Sequence, residues 1–199
     1  MKSLTVALAL SGLAFSLPVR ADSPVVRIRG TIEAVDGASV TIKPRLGAPV
    51  QVKLGDSLRV ATANSAKIGD IQPDSYIGTA ATPQPDGTLK ALEVAVFAPS
   101  MRGTGDGHYP WDLEKENTMT NGAVGALSGT TDRTITVTYK GGEKIITVPE
   151  GVPVVALAPG DVSKIKPGAR VVAFTKADAG GVAVADRMIV GENGTVPPM

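Results

Sequence analysis

The sequence predicts an all-β protein made of two tandem five-stranded barrels, each with the element order β-β-β-α-β-β. Three observations carry this. The chain holds 23 Gly and 15 Pro with 4% aromatic residues, a composition of short strands and many turns. Apolar and polar residues alternate with period two in most stretches between those turns. The apolar and turn residues of positions 52–96 then recur 94 residues later.

The chain opens on a segment that reads as a leader. Lys2 is the basic start, Leu4 to Phe15 form a mostly apolar run of signal-peptide length, and Val19-Arg20-Ala21 offers small residues for cleavage after Ala21. The run falls short of the roughly 20 apolar residues that a spanning helix needs. The chain has no Cys, so it has neither a thiol for a lipid anchor nor disulfides. The expectation is a soluble bacterial protein of the periplasm or the extracellular space, with no membrane span after residue 21. Lys2 and Arg20 leave with residues 1–21, so the remaining 178 residues carry 18 basic and 19 acidic side chains. That balance gives no electrostatic claim on nucleic acid or an anionic membrane.

In the first copy, 22–98, Val26, Ile28, Ile32 and Ala34 alternate with Arg27, Arg29, Thr31 and Glu33 as in a half-buried strand. Asp36-Gly37 is a turn signal. Val40 and Ile42 form a second strand closed by Pro44, and Val50, Val52 and Leu54 a third, followed by a short extended piece at Leu58 and Val60. Ser65 can cap a single helical turn with Ile68 and Ile71 on one side. Pro73-Asp74 leads into a strand at 76–82, and Pro85-Asp86-Gly87 into a last strand at 89–97.

The second copy, 122–192, repeats this plan. An offset of 94 carries Val52 to Ile146, Ile71 to Ile165, Pro73 to Pro167, Gly87 to Gly181 and Val96 to Val190. The first hairpin departs, with Gly37 matching Gly129 at an offset of 92. Shared Pro and Gly at a constant spacing point to an internal duplication. Between the copies lies a segment at 99–121, and a tail follows at 193–199. The element order is that of an oligonucleotide/oligosaccharide-binding (OB) barrel, and closure removes the edges that an open five-stranded sheet would expose. A sandwich built from both copies is the alternative.

The repeated unit, opening Gly30-Thr-Ile-Glu-Ala-Val-Asp-Gly37 and closing from Ile71-Gln-Pro73 to Gly87-Thr-Leu-Lys-Ala-Leu-Glu93, resembles a bacterial exported domain family of unknown function. The second copy, from Ile165-Lys-Pro-Gly168 to Gly181-Val-Ala-Val-Ala-Asp186, is similar to it too. The resemblance implies OB-like barrels and supplies no catalytic residues. The segment Met101 to Asp112 resembles one in similar proteins that are sometimes labelled metal ABC transporter permeases.

That segment is the chemically distinctive part of the chain, with its sole His and sole Trp in Gly103-Thr-Gly105-Asp-Gly107-His108-Tyr109-Pro110-Trp111-Asp112. The candidate ligand-binding residues are His108, Tyr109, Trp111 and Asp112. One reading makes Tyr109 and Trp111 a stacking platform for a sugar or peptide, with His108 and Asp112 as polar partners. The other makes Tyr109-Pro110-Trp111 a packing clamp between the barrels. A metal site would draw on His108, Asp106, Asp112 and Glu114, with Met101 or Met119 for a soft ion. Nothing places an activated Ser beside His108, so no enzyme and no cofactor is expected. Nucleic acid is not expected either, since a strand-binding barrel needs a basic groove and stacking aromatics beyond Tyr76, Phe97, Tyr139 and Phe174. The expected function is an exported soluble binding or assembly module for a protein or small-molecule partner, with a metal-handling accessory protein as the alternative.

Overall fold

The computed structural model describes residues 24–128 and 133–198. The leader at 1–21 with its cleavage site, and the turn glycine Gly129, lie outside them. Twelve strands follow in order: β1 (Val26–Asp36), β2 (Ser39–Pro44), β3 (Val50–Ala66), β4 (Tyr76–Pro83), β5 (Leu89–Phe97), β6 (Gly107–Pro110), β7 (Thr118–Ser128), β8 (Thr134–Tyr139), β9 (Gly142–Thr147), β10 (Val154–Pro159), β11 (Arg170–Ala177) and β12 (Ala183–Gly191). The all-β class holds among the described residues.

No α-helix stands where one was expected in either copy. Ile68–Asp70 and Val162–Lys164 are single 3₁₀ turns. Ser65 is not the cap: it lies in β3 opposite Val155, and the Asp70 carboxylate accepts from the Lys67 N–H at 2.8 Å instead. Pro73 and Pro167 follow too closely for either turn to propagate.

The strands close into two five-membered rings. One runs β1–β2–β3–β12–β11 and back to β1, the other β7–β8–β9–β5–β4 and back to β7. Each ring takes three strands from one copy and two from the other. The spans 22–98 and 122–192 therefore mark the copies in sequence, but neither span closes a barrel from its own strands. The segment between 67 and 75 carries the chain from the first ring to the second, and 160–169 carries it back. Ile71 on the first crossing packs in the core of the second ring, and Ile165 on the return packs in that of the first.

The registers of the two rings correspond through the sequence offsets. Thr31 faces Arg170 as Ala123 faces Tyr76, Val52 faces Ala183 as Ile146 faces Leu89, and Val60 faces Met188 as Val154 faces Val94. β3 and β10 run antiparallel between the rings, with Ala63 opposite Leu157. Those two residues are themselves equivalent in the two copies, so the relation between the copies is centred there.

The sequence suggested separate pieces for 50–66, yet β3 is one strand of 17 residues. Its parallel neighbour β12 accompanies it from Val52 to Ala63 and spans the polar stretch near Gly55. The second copy breaks at the same place into β9 and β10, where Pro149 and Pro153 remove two backbone donors. Gly30 and its equivalent Gly122 sit where strands cross closely: a Cβ at either would run into the carbonyl oxygen of Lys43 or Thr138.

Three apolar clusters result. Ile32, Val40, Ile42, Val52 and Met188 fill the first ring; Ile77, Val94, Ile135, Val137 and Ile146 fill the second. A third lies between the rings around Tyr76, Phe97, Trp111, Met119, Leu157 and Phe174. β4 and β11 separate a ring core from this shared cluster, which is why both are buried along almost their whole length.

Candidate functional site

The 99–121 segment is more ordered than a linker. A 3₁₀ turn at Pro99–Met101 leads through a glycine-rich loop into β6, which pairs antiparallel with the start of β7, Tyr109 opposite Met119. β7 begins at Thr118, so the second copy starts four residues ahead of the expected boundary at 122. Side chains anchor the loop. The Tyr76 hydroxyl donates to Asp106 Oδ2 at 3.2 Å, Asp106 Oδ1 accepts from the Lys140 N–H at 2.7 Å, and Asn121 Nδ2 donates to the Thr104 carbonyl at 3.2 Å. Gly105 has φ +60° and a Cβ there would meet Asn121 Nδ2, so both the backbone and the space call for glycine. Burial pushes the Tyr76 phenol above its ordinary pKa, and the Asp106 carboxylate pushes it further.

The four candidate residues do not converge on one space. Alternation along β6 sends Tyr109 to one face and His108 to the other. His108 Nδ1 lies 2.9 Å from Thr120 Oγ1, and its ring stacks on Tyr139 at 6.0 Å. Tyr139 thus caps the end of its strand face rather than entering the core with Ile135 and Val137. Burial, helped by the charge of Lys144, lowers the His108 pKa. Among the described residues no three His, Asp or Glu side chains are grouped to hold a metal ion. Asp106 is engaged by Tyr76 and Lys140, and Met119 is in the core.

Trp111 is 9% exposed and belongs to the cluster between the rings. Tyr109 meets it edge-on at 6.0 Å, and the Arg27 guanidinium lies 3.6 Å above its ring. Tyr109 and Trp111 line a cavity of only about 40 Å³ with Phe97, Phe174 and Arg187. A single water needs about 10–15 Å³ of such space, so the cavity has room for a few waters at most and a sugar or peptide does not fit there. This is the geometry of a clamp. Asp112 extends it: one carboxylate oxygen binds Arg29 at 2.7 Å and the other Arg27 at 3.1 Å, tying the inserted segment to β1. Burial works to raise the Asp112 pKa, but the hydrogen bonds and charges of Arg29 and Arg27 outweigh it and hold the carboxyl below its ordinary value.

That shift sets a pH dependence. A carboxylate with a lowered folded pKa stabilises fully above its unfolded pKa of about 4 and loses that share as pH falls through the folded one. Asp112→Asn should therefore cost stability at pH 7 and progressively less in acid. With the side chain 44% exposed, the neutral-pH loss should stay near or below about 1 kcal/mol. Urea unfolding of both proteins between pH 7 and pH 2 measures it, and a gap that persisted undiminished in acid would count against this role.

The roomy space lies elsewhere. A cleft of about 590 Å³ opens beside β1, lined by Arg27, Arg29, Arg45 and Arg170, with Glu93 and Leu113 at its wall and Leu46 and Val196 at its rim. The alternation at 26–34 marks Arg27 and Arg29 only as polar positions of a half-buried strand. Their spacing places both on one side, but Arg45 and Arg170 reach them only through the β1–β2 and β1–β11 pairings. Comparisons with protein-family models, with curated proteins and with solved structures return no match.

Proposed function

We propose that this protein is an exported, non-catalytic binding or assembly module whose two rings are OB-like barrels, and that it engages its partner at the arginine-lined cleft beside β1. The carrying observation is the contrast between the two spaces between the rings. One is packed shut around Tyr109 and Trp111, while the other stays open at about 590 Å³ with four arginines along it. Two of them, Arg45 and Arg170, are exposed beside exposed apolar side chains, which is what an interaction surface offers. The closure of each set of five strands supports the barrel part of the reading, and the basic, apolar and small-residue pattern of positions 1–21 supports the export part. In this reading, Tyr109, Trp111 and Asp112 build the clamp beside the cleft, His108 packs on Tyr139 on the other face of β6, and none of the four is the binding surface itself.

A photo-crosslinking amino acid at Leu46, which is 90% exposed at the cleft rim, tests this in the producing cell. The control is the same group at Val162, 62% exposed and not part of the cleft. Adducts specific to position 46, on a protein whose first residue is Asp22 by mass spectrometry, are the expected result. Adducts at both positions alike, or at neither, would overturn the site, and an unprocessed N-terminus would overturn export.

A further inference from the structure

The matching registers of the two rings relate the open cleft to an edge that carries a strand in the other ring. On the second ring, the start of β7, Thr118–Asn121, carries β6 along one edge. The offset of 92 maps that stretch onto Val26–Arg29 of β1. Here β2 joins only from Gly30 onward, so the edge ahead of Gly30 faces the cleft. The tails correspond as well. After β5 the chain packs Met101 and Thr104 against the small cavity, and after β12 it packs Val196, Pro197 and Pro198 against the cleft. The first tail continues into β6; the second reaches Pro198 without supplying a strand there among the described residues. The backbone is oriented for one. Ile32 exchanges hydrogen bonds with Gly168 and Ala169 on the β11 side. Alternation therefore directs the N–H and C=O of Arg27 toward the cleft, as those of its equivalent Met119 are directed toward Tyr109 of β6.

We propose that the cleft takes an extended acidic segment of a partner protein as an added antiparallel strand on β1, in the seat equivalent to that of β6 on β7. This rests on the cleft being the interaction surface. Charge selects the partner: of the four arginines in the cleft, Arg27 and Arg29 are held by Asp112, while Arg45 and Arg170 are exposed with no acidic partner among the described residues. Asp112, bound to both Arg27 and Arg29, shows how a carboxylate sits at this edge. Exposed apolar side chains supply the rest of the recognition: Leu46 and Val196 line the cleft, and Val25 and Val26 lead into the strand. Main-chain bonds give such a strand its affinity, and alternate side chains give it specificity. The segment recognised thus alternates acidic and apolar residues.

The test titrates isotope-labelled protein, residues 22–199, with a capped octapeptide of alternating Glu and Val, its Lys/Val counterpart, and two Glu/Val versions N-methylated at every second amide in opposite phase. The Glu/Val peptide should shift the amide resonances of residues 26–29 and 46. Arg45→Glu combined with Arg170→Glu should weaken it by at least about tenfold. One N-methylated phase should bind and the other should not, because an added strand bonds through alternate amides. Equal binding of both phases would overturn strand addition while leaving the cleft a binding surface. Preference for the Lys/Val peptide would overturn the acidic partner. Shifts at 26–29 on dilution alone would assign the edge to a second copy of this chain. If no peptide binds, position-46 adducts would sink this inference alone, and their absence would sink the proposed function with it.

Discussion

Trp111→Ala should destabilise the whole molecule by about 3–5 kcal/mol, the usual range for deleting a buried aromatic. The ring is 9% exposed, packs in the cluster shared by both rings, and carries Arg27 on its face at 3.6 Å. Its removal leaves a cavity between the rings and unseats the arginine that Asp112 holds. Trp111→Phe should cost less, partly because the buried Nε1 finds no hydrogen-bond acceptor among the described residues and its loss is favourable. Urea unfolding followed by circular dichroism measures both. In the unsubstituted protein the sole Trp should emit at short wavelength and resist acrylamide. A loss within about 0.5 kcal/mol, the range of ordinary surface changes, would show that the rings hold together without it.

Cutting the chain should not separate the halves. A specific protease site inserted in the exposed stretch Glu114-Lys115-Glu116 divides the protein into a piece with β1–β6 and a piece with β7–β12. Each ring needs strands from both pieces, so the fragments should coelute as one species and come apart only in denaturant. Two barrels each closed by their own strands would separate into independently folded pieces. Elution as two folded halves would therefore disprove the exchange described above.

Why the strands were legible and their partners were not has a local reason. Alternation and turn chemistry act over a few residues, so Val40, Ile42, Ile135 and Val137 announced buried strand faces that the structure bears out. The offset of 94 links positions that hold matching registers in the two rings. But copies this alike offer nearly the same edges to each other as to themselves, and nothing at β4 or β5 tells which β1–β3 unit it will complete. The turn at Ile68 was misjudged because Ser65 is a good capping residue in isolation, whereas pairing with Val155 keeps it extended. At the site, composition singled out His108, Tyr109, Trp111 and Asp112, and they do mark a distinctive structure. The cleft left no such trace. Its arginines are spread from position 27 to 170: Arg27 and Arg29 share a strand face, Arg45 is brought in by the β1–β2 pairing, and Arg170 only by the β1–β11 pairing between the copies.

The exchange of strands also has a consequence in time. A chain is made from its N-terminus, so β1, β2 and β3 emerge first. Their ring cannot close until β11 and β12 arrive, with Val52 waiting for Ala183 and Val26 for Thr175. Until then Ile32, Val40, Ile42 and Val52 have no completed core to enter, and two strand edges stand open. Pairing across such sequence separations slows folding and prolongs exposure to misassembly. The second ring escapes this delay, because β4 and β5 are already present when β7, β8 and β9 appear. The second ring, built from the middle of the chain, should thus form first and hold the nascent molecule while the older strands β1–β3 remain unfinished.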